Sequence, residues 1–134
     1  MRGFRLHGPQ RRFELTVLSG PDPTMGWSRI GISFDARRGS EGSSSCLQDD
    51  EMTRLTAWFE AVAEGAEAQA IAFFDPELAF SVLAEPERLV QITLCWHFLP
   101  PWVKGEPDAT FTLPFPAEPG QLRRAAASLR GENR

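Results

Sequence analysis

Few side chains in this 134-residue sequence can do covalent or metal chemistry: His7, His97, Cys46 and Cys95 are present, and tyrosine is absent. Cys95 and His97 stand two apart in an alternating stretch, so on a strand both point to one face and make half a metal site. Zinc needs three or four ligands, and Cys46 is the one obvious third, so neither metal nor cofactor is expected. A Cys46/His97 nucleophile and base pair rests on residue type alone. Ser43, Ser44 and Ser45 lack the strand, Gly-x-Ser-x-Gly and helix setting that exposes a nucleophilic serine. The clustered acids, Asp49-Asp50-Glu51 and Glu85 with Glu87, sit where acids cap a helix or solvate a turn. Gly39-Ser40-Glu41-Gly42 lacks the lysine and following apolar helix of a phosphate loop. The composition points away from an enzyme.

Chemistry for binding is better supplied. Residues 1–12 hold four arginines (Arg2, Arg5, Arg11, Arg12) and no acid, so the rest of a chain of net charge −4 carries −8. An acidic body repels phosphate, which disfavours nucleic acid as the direct ligand and suits a basic protein partner. Trp27 and Trp102 fall outside the apolar stripes, next to loops. Exposed tryptophans are frequent interface anchors, while Trp102, following two prolines, also suits a lid folded over the core. The candidate partner-binding residues are Trp27, Gln91, His97, Trp102, Glu60 and Glu64. Gln91 and His97 come from the polar side of the strongest strand, and the glutamates, with Glu67, from the acidic end of the first helix.

The elements that must position these residues follow from periodicity. Phe13, Leu15 and Val17 alternate with polar residues until Gly20-Pro21-Asp22-Pro23 breaks the strand. A second strand spans 27–35, with Ile30, Ile32 and Phe34 on one face. Residues 37–45, RRGSEGSSS, read as a hairpin loop, with the serines able to make a short edge strand. A helix over 49–64 starts at Gln48 or Asp49, carries acids in its first turn, and repeats Met52, Leu55, Trp58, Phe59 and Val62 at helical spacing until Gly65. Strands at 70–74 and 78–83 flank the turn Asp75-Pro76-Glu77. The next strand sets Val90, Ile92, Leu94, Trp96 and Phe98 to one side and Gln91, Thr93, Cys95 and His97 to the other, ending at Pro100-Pro101. A last strand contains Phe111, Leu113 and Phe115, and a last helix begins near Pro119 and carries Leu122, Ala125, Ala126 and Leu129.

The expected fold is therefore α+β: a single antiparallel sheet of about six strands with one face covered by two helices. Its uncovered face would present Ser33, Ser81, Gln91, Thr93, His97, Thr110 and Thr112. One domain over 1–134 is expected, with 1–11 a flexible basic arm and 131–134 frayed. No apolar run approaches the ~20 residues of a membrane span, and MRGFRLHGPQRR lacks the apolar stretch of a secretory signal, so a cytoplasmic protein with free thiols is expected.

The stretches LQDDEMTRLTAWFEAVAEG, FFDPELAFSV, RLVQITLCWHFLPPW, FTLPF and QLRRAAASLR, in that order, resemble the WapI-type immunity proteins of bacterial polymorphic-toxin systems. Trp58, Pro76, Pro100-Pro101-Trp102 and Ala125 to Ala127 occupy the family's characteristic places, while only Trp27 stands where the family usually has a strand with both Trp and Asn. The resemblance implies a non-catalytic antidote, monomer or weak homodimer, that occupies a cognate toxin domain, with an RNA-cleaving toxin of basic surface as the expected kind. The alternatives are a small-ligand-binding or enzymatic domain with a pocket near Cys95, His97 and Cys46, or a regulatory or scaffold protein.

Overall fold

A computed structural model describes residues 2–34, 41–75, 77–103 and 108–131. Among these residues eight strands form two four-stranded antiparallel meanders instead of one six-stranded sheet. The first orders β1 (Gly3–His7), β2 (Arg12–Ser19), β3 (Trp27–Phe34) and β4 (Glu41–Gln48), and the second β5 (Ile71–Ala72), β6 (Leu78–Leu83), β7 (Leu89–Leu94) and β8 (Phe111–Pro116). The chain between β4 and β5 is spent on α1 (Asp49–Ala63), so β5 opens a new sheet. Alternation reports that one strand face is buried without saying whether a helix or another sheet buries it, and here sheet meets sheet. Rings cross the boundary as Phe13–Phe115 at 6.5 Å, Phe4–Phe80 at 6.1 Å and Phe34–Phe111 at 5.6 Å. From α1, Phe59 joins the same cluster against Phe4 (4.9 Å) and Phe80 (5.7 Å). The second helix, α2 (Pro119–Leu129), packs on α1 and β1.

Two stretches became strands against their polarity or charge. The basic N-terminal segment is not an arm: Phe4 and Leu6 are buried while Arg5 and His7 point outward, and β1 pairs along β2 from Gly3↔Thr16 to His7↔Arg12. The serine-rich run is β4, paired to β3 from Trp27↔Gln48 to Ser33↔Glu41. Its backbone bonds and the complete burial of Cys46 and Leu47 outweigh the weak strand preference of glycine and serine. The loop residues 37–40, together with Asp35 and Pro76, lie outside the described residues.

Helix α1 begins as its sequence requires. Gln48 and Glu51 form a capping box in which Glu51 Oε1 accepts the Gln48 N–H at 2.9 Å, and Leu47 and Met52 are both fully buried, as a hydrophobic staple needs. At its other end Gly65, at φ 87°, allows the reversal in which the Ala66 N–H reaches the Ala61 carbonyl (3.0 Å) and the Gly65 N–H the Val62 carbonyl (3.1 Å). The last turn contains no basic residue of its own. Arg88, from the β6–β7 turn, donates instead to the Val62 and Ala66 carbonyls at 3.0 and 2.6 Å, where a cation favours the helix dipole. Burial of the helix's apolar stripe, at about 1.5–3 kcal/mol per large side chain, ties α1 to the sheets more firmly than intrinsic propensity does.

Candidate functional site

The longest predicted strand stops early, and the functional surface starts there. β7 ends at Leu94; the Cys95 N–H then bonds the Glu77 carbonyl at 2.9 Å, and Trp96–Phe98 form one 3₁₀ turn. Trp96 takes φ 51°, a left-handed conformation costly for a bulky residue. It therefore does not continue the apolar face with Leu94; its indole turns outward, 60% exposed. Phe98 alone returns to the core.

Glu77, only 1% exposed, fixes this turn. Its Oε1 accepts the Ser44 hydroxyl (2.6 Å), and its Oε2 accepts the His97 backbone N–H (3.0 Å) and pairs with His97 Nδ1 (2.7 Å). One carboxylate thus joins β4, the approach to β6 and the 3₁₀ turn. Buried charge is tolerated when its lone pairs are filled in this way. Glu51, 4% exposed, does the same work nearby, its Oε2 accepting the Phe74 N–H at 2.8 Å. That bond holds Phe74 outward, 84% exposed, with its ring 6.3 Å from Trp27. Between them sits Asp75, whose pKa is raised, first by desolvation, then by the Glu77 charge; the His97 charge opposes this, while a side-chain hydrogen bond to Glu77 and the Glu51 charge add to it. The result is an acidic shoulder on which the half-exposed Trp27 and the exposed Phe74 are in ring contact, with the exposed Trp96 on the adjoining turn that Glu77 holds through His97.

Thiol, imidazole, hydroxyl and carboxylate do come together here, in an order that does not suit nucleophilic catalysis. Ser44 and His97 bond to opposite oxygens of one carboxylate, whereas an activated serine needs the imidazole between itself and the acid. Burial pushes the Cys46 thiol up to about 12, with the Glu77, Asp75 and Glu51 charges adding to it; Cys95 is raised by burial and then Glu77. Nucleophilic thiols need the opposite shift. Both cysteines are free thiols, and among the described residues no three His, Cys, Asp or Glu side chains are grouped to hold a metal ion.

The other candidates are dispersed. Gln91 lies on the outer face of the second sheet, opposite Ser81 and Pro114, in a polar row with Thr93 and Thr112. Ser33 belongs to the first sheet, His97 to the 3₁₀ turn and Thr110 to no strand, so the single polar face expected for these residues is divided. Trp102 is a lid, packed edge-on to Phe111 (5.9 Å) and Phe34 (6.4 Å). Glu60 accepts from Arg130 Nη1 at 2.7 Å, and Glu64 is the exposed C-cap of α1. Of the six, Trp27 and His97 reach the shoulder. Phe74 and Trp96, its most exposed rings, were hidden by the alternation, which accounts for each as one more strand residue. The second aromatic of Phe73-Phe74, immediately before Asp75, was the available signal.

With the geometry established, comparison with known proteins adds one match: the family model described as the immunity protein WapI-like family matches residues 5–133. No curated protein and no solved structure matches significantly.

Proposed function

The chain belongs to the WapI-like immunity protein family, and on that premise we propose that it is a non-catalytic antidote that binds a cognate polymorphic-toxin domain and blocks its active site. The observation that carries this reading is the acidic shoulder: Phe74, 84% exposed, held next to Asp75 by the buried Glu51, and Trp96, 60% exposed, on the turn held by the buried Glu77. Aromatic rings held outward by buried hydrogen bonds are preorganised anchors, which lose little entropy on docking. The surrounding carboxylates favour a basic partner surface such as that of a ribonuclease, and the complementary charge speeds encounter more than it tightens the complex. A standard inhibitory interface hides about 800 Å² per partner. No helix among the described residues is long and apolar enough to cross a membrane. Action as a monomer or weak homodimer in the cytoplasm, where such a toxin would act, fits the reading.

The test is to read the genes that flank this one and to co-express the chain with a toxin domain encoded there. The wild-type chain is expected to restore growth and to co-purify with the toxin, while Phe74→Ala and Trp96→Ala, still folded, lose rescue. Association should slow as salt is raised. Failure of the wild-type chain to rescue overturns the antidote reading; rescue indifferent to both substitutions overturns the shoulder as its surface.

A further inference from the structure

The basic N-terminal segment acquires a second role once it is folded as β1. A cleft of about 420 Å³ separates the β1–β2 hairpin from α2. One wall presents Arg5 and His7, the other Gln121, Arg124 and Ser128, and Arg2 closes one end. Glu14 is the one acidic lining residue, so with His7 neutral the cleft carries +2 on a chain of net charge −4. Arg12, directly across from His7 on β2, adds a further cation at the rim.

The cleft is also held in shape. Arg2 Nε donates to the Leu129 carbonyl at 2.7 Å and its Nη1 stands 3.9 Å from the exposed Asp49 carboxylate, which fixes its half-buried guanidinium at that end of the cleft. The His7 N–H donates to Gln121 Oε1 at 2.9 Å, fixing the width between the walls. Arg5 pairs with Glu14, and Arg124 stands 3.8 Å from Glu118; both arginines are mostly exposed, at 72% and 76%, so these pairs exchange readily for a better acceptor. Guanidinium groups that line one cleft from two separate elements are drawn together by an anion between them, and their planar forks match phosphate oxygens.

We propose that this cleft binds the phosphate groups of a small phosphorylated molecule of mononucleotide size, with Arg5 and Arg124 clasping the phosphates from opposite walls and Arg2 completing the cradle. The volume is in the range of small-ligand sites. The site is separate from the acidic shoulder, and its failure would leave the antidote reading untouched.

Titration with pyrophosphate, ADP, sulfate and a short single-stranded RNA, followed by calorimetry and by backbone-amide NMR, tests this. Pyrophosphate and ADP are expected to saturate one site per chain, moving resonances of β1, β2 and α2, with sulfate weaker. Arg5→Gln and Arg124→Gln should each weaken ADP about tenfold, the worth of one charge-assisted contact. Glu14→Gln removes the opposing carboxylate and should tighten binding, a change that a misfolded variant cannot produce. The proposal is overturned if ADP and pyrophosphate fail to saturate by about 10 mM, if RNA binds while they do not, or if the three substitutions leave the affinity unchanged.

Discussion

The acidic shoulder and the basic cleft use charge in opposite ways. At the shoulder the decisive carboxylates, Glu51 and Glu77, are buried and filled by backbone N–H groups, a serine and an imidazole. At the cleft the decisive cations lie at the surface, in pairs that water and salt can replace. Charge in the first place is part of the fold and sets the position of the rings above it. Charge in the second is available to a ligand and contributes little to stability.

The contrast breaks most readily at Glu77. Glu77→Ala removes the shared acceptor of the Ser44 hydroxyl and the His97 backbone N–H, while the mostly exposed imidazole turns to water, and is expected to cost about 3 kcal/mol in urea denaturation, at about 1.5 per hydrogen bond to a charged group; a loss under about 1 kcal/mol would refute its structural role. The next effect is alkaline. Burial pushes the Cys46 thiol up to about 12 from the 9.0 of a free thiol, so the fold favours its protonated form. That contribution is complete below pH 9.0 and is lost as pH rises toward 12, by up to about 1.4 kcal/mol per unit. Denaturation midpoints measured across this range should show the slope, and Cys46→Ala should flatten it. Glu51→Ala removes both the capping box and the Phe74 tether, for about 1–2 kcal/mol. Asp75→Asn should stabilise modestly, because the raised pKa marks an ionised form that the fold disfavours; the gain is expected at neutral pH and should vanish as pH falls below 3.8, where the unfolded chain is protonated too. Smallest is Arg5→Ala, at about 0.5 kcal/mol or less and fading further in salt.

What was legible in the sequence was whatever one element decides alone. The span of α1, its cap at Gln48 and its end at Gly65 come from local spacing and dipole chemistry, and β6 and β8 come from plain alternation. Illegible was what a distant partner decides. Arg88 caps a helix 26 residues away, β4 is a strand because β3 offers bonds, and Trp96 turns outward because Glu77 claims the backbone of His97. The division into two sheets falls in the same class, since an apolar face looks alike beneath a helix or a second sheet. For the shoulder, the sequence offered Trp27 and His97 as separate candidates, and only folding brought Asp75 and Phe74 to them.

The bonds from Arg2 to Leu129 and from His7 to Gln121 join the two ends of the described chain. The inner face of the β1–β2 hairpin rests on β3, α1 and the second sheet, but among the described residues the outer edge of β1 is secured only through the eleven-residue α2. That helix therefore acts as a latch on the edge strand, and a chain truncated after Glu118 should leave the β1 amides exchanging hydrogen far faster than those of β6 and β7.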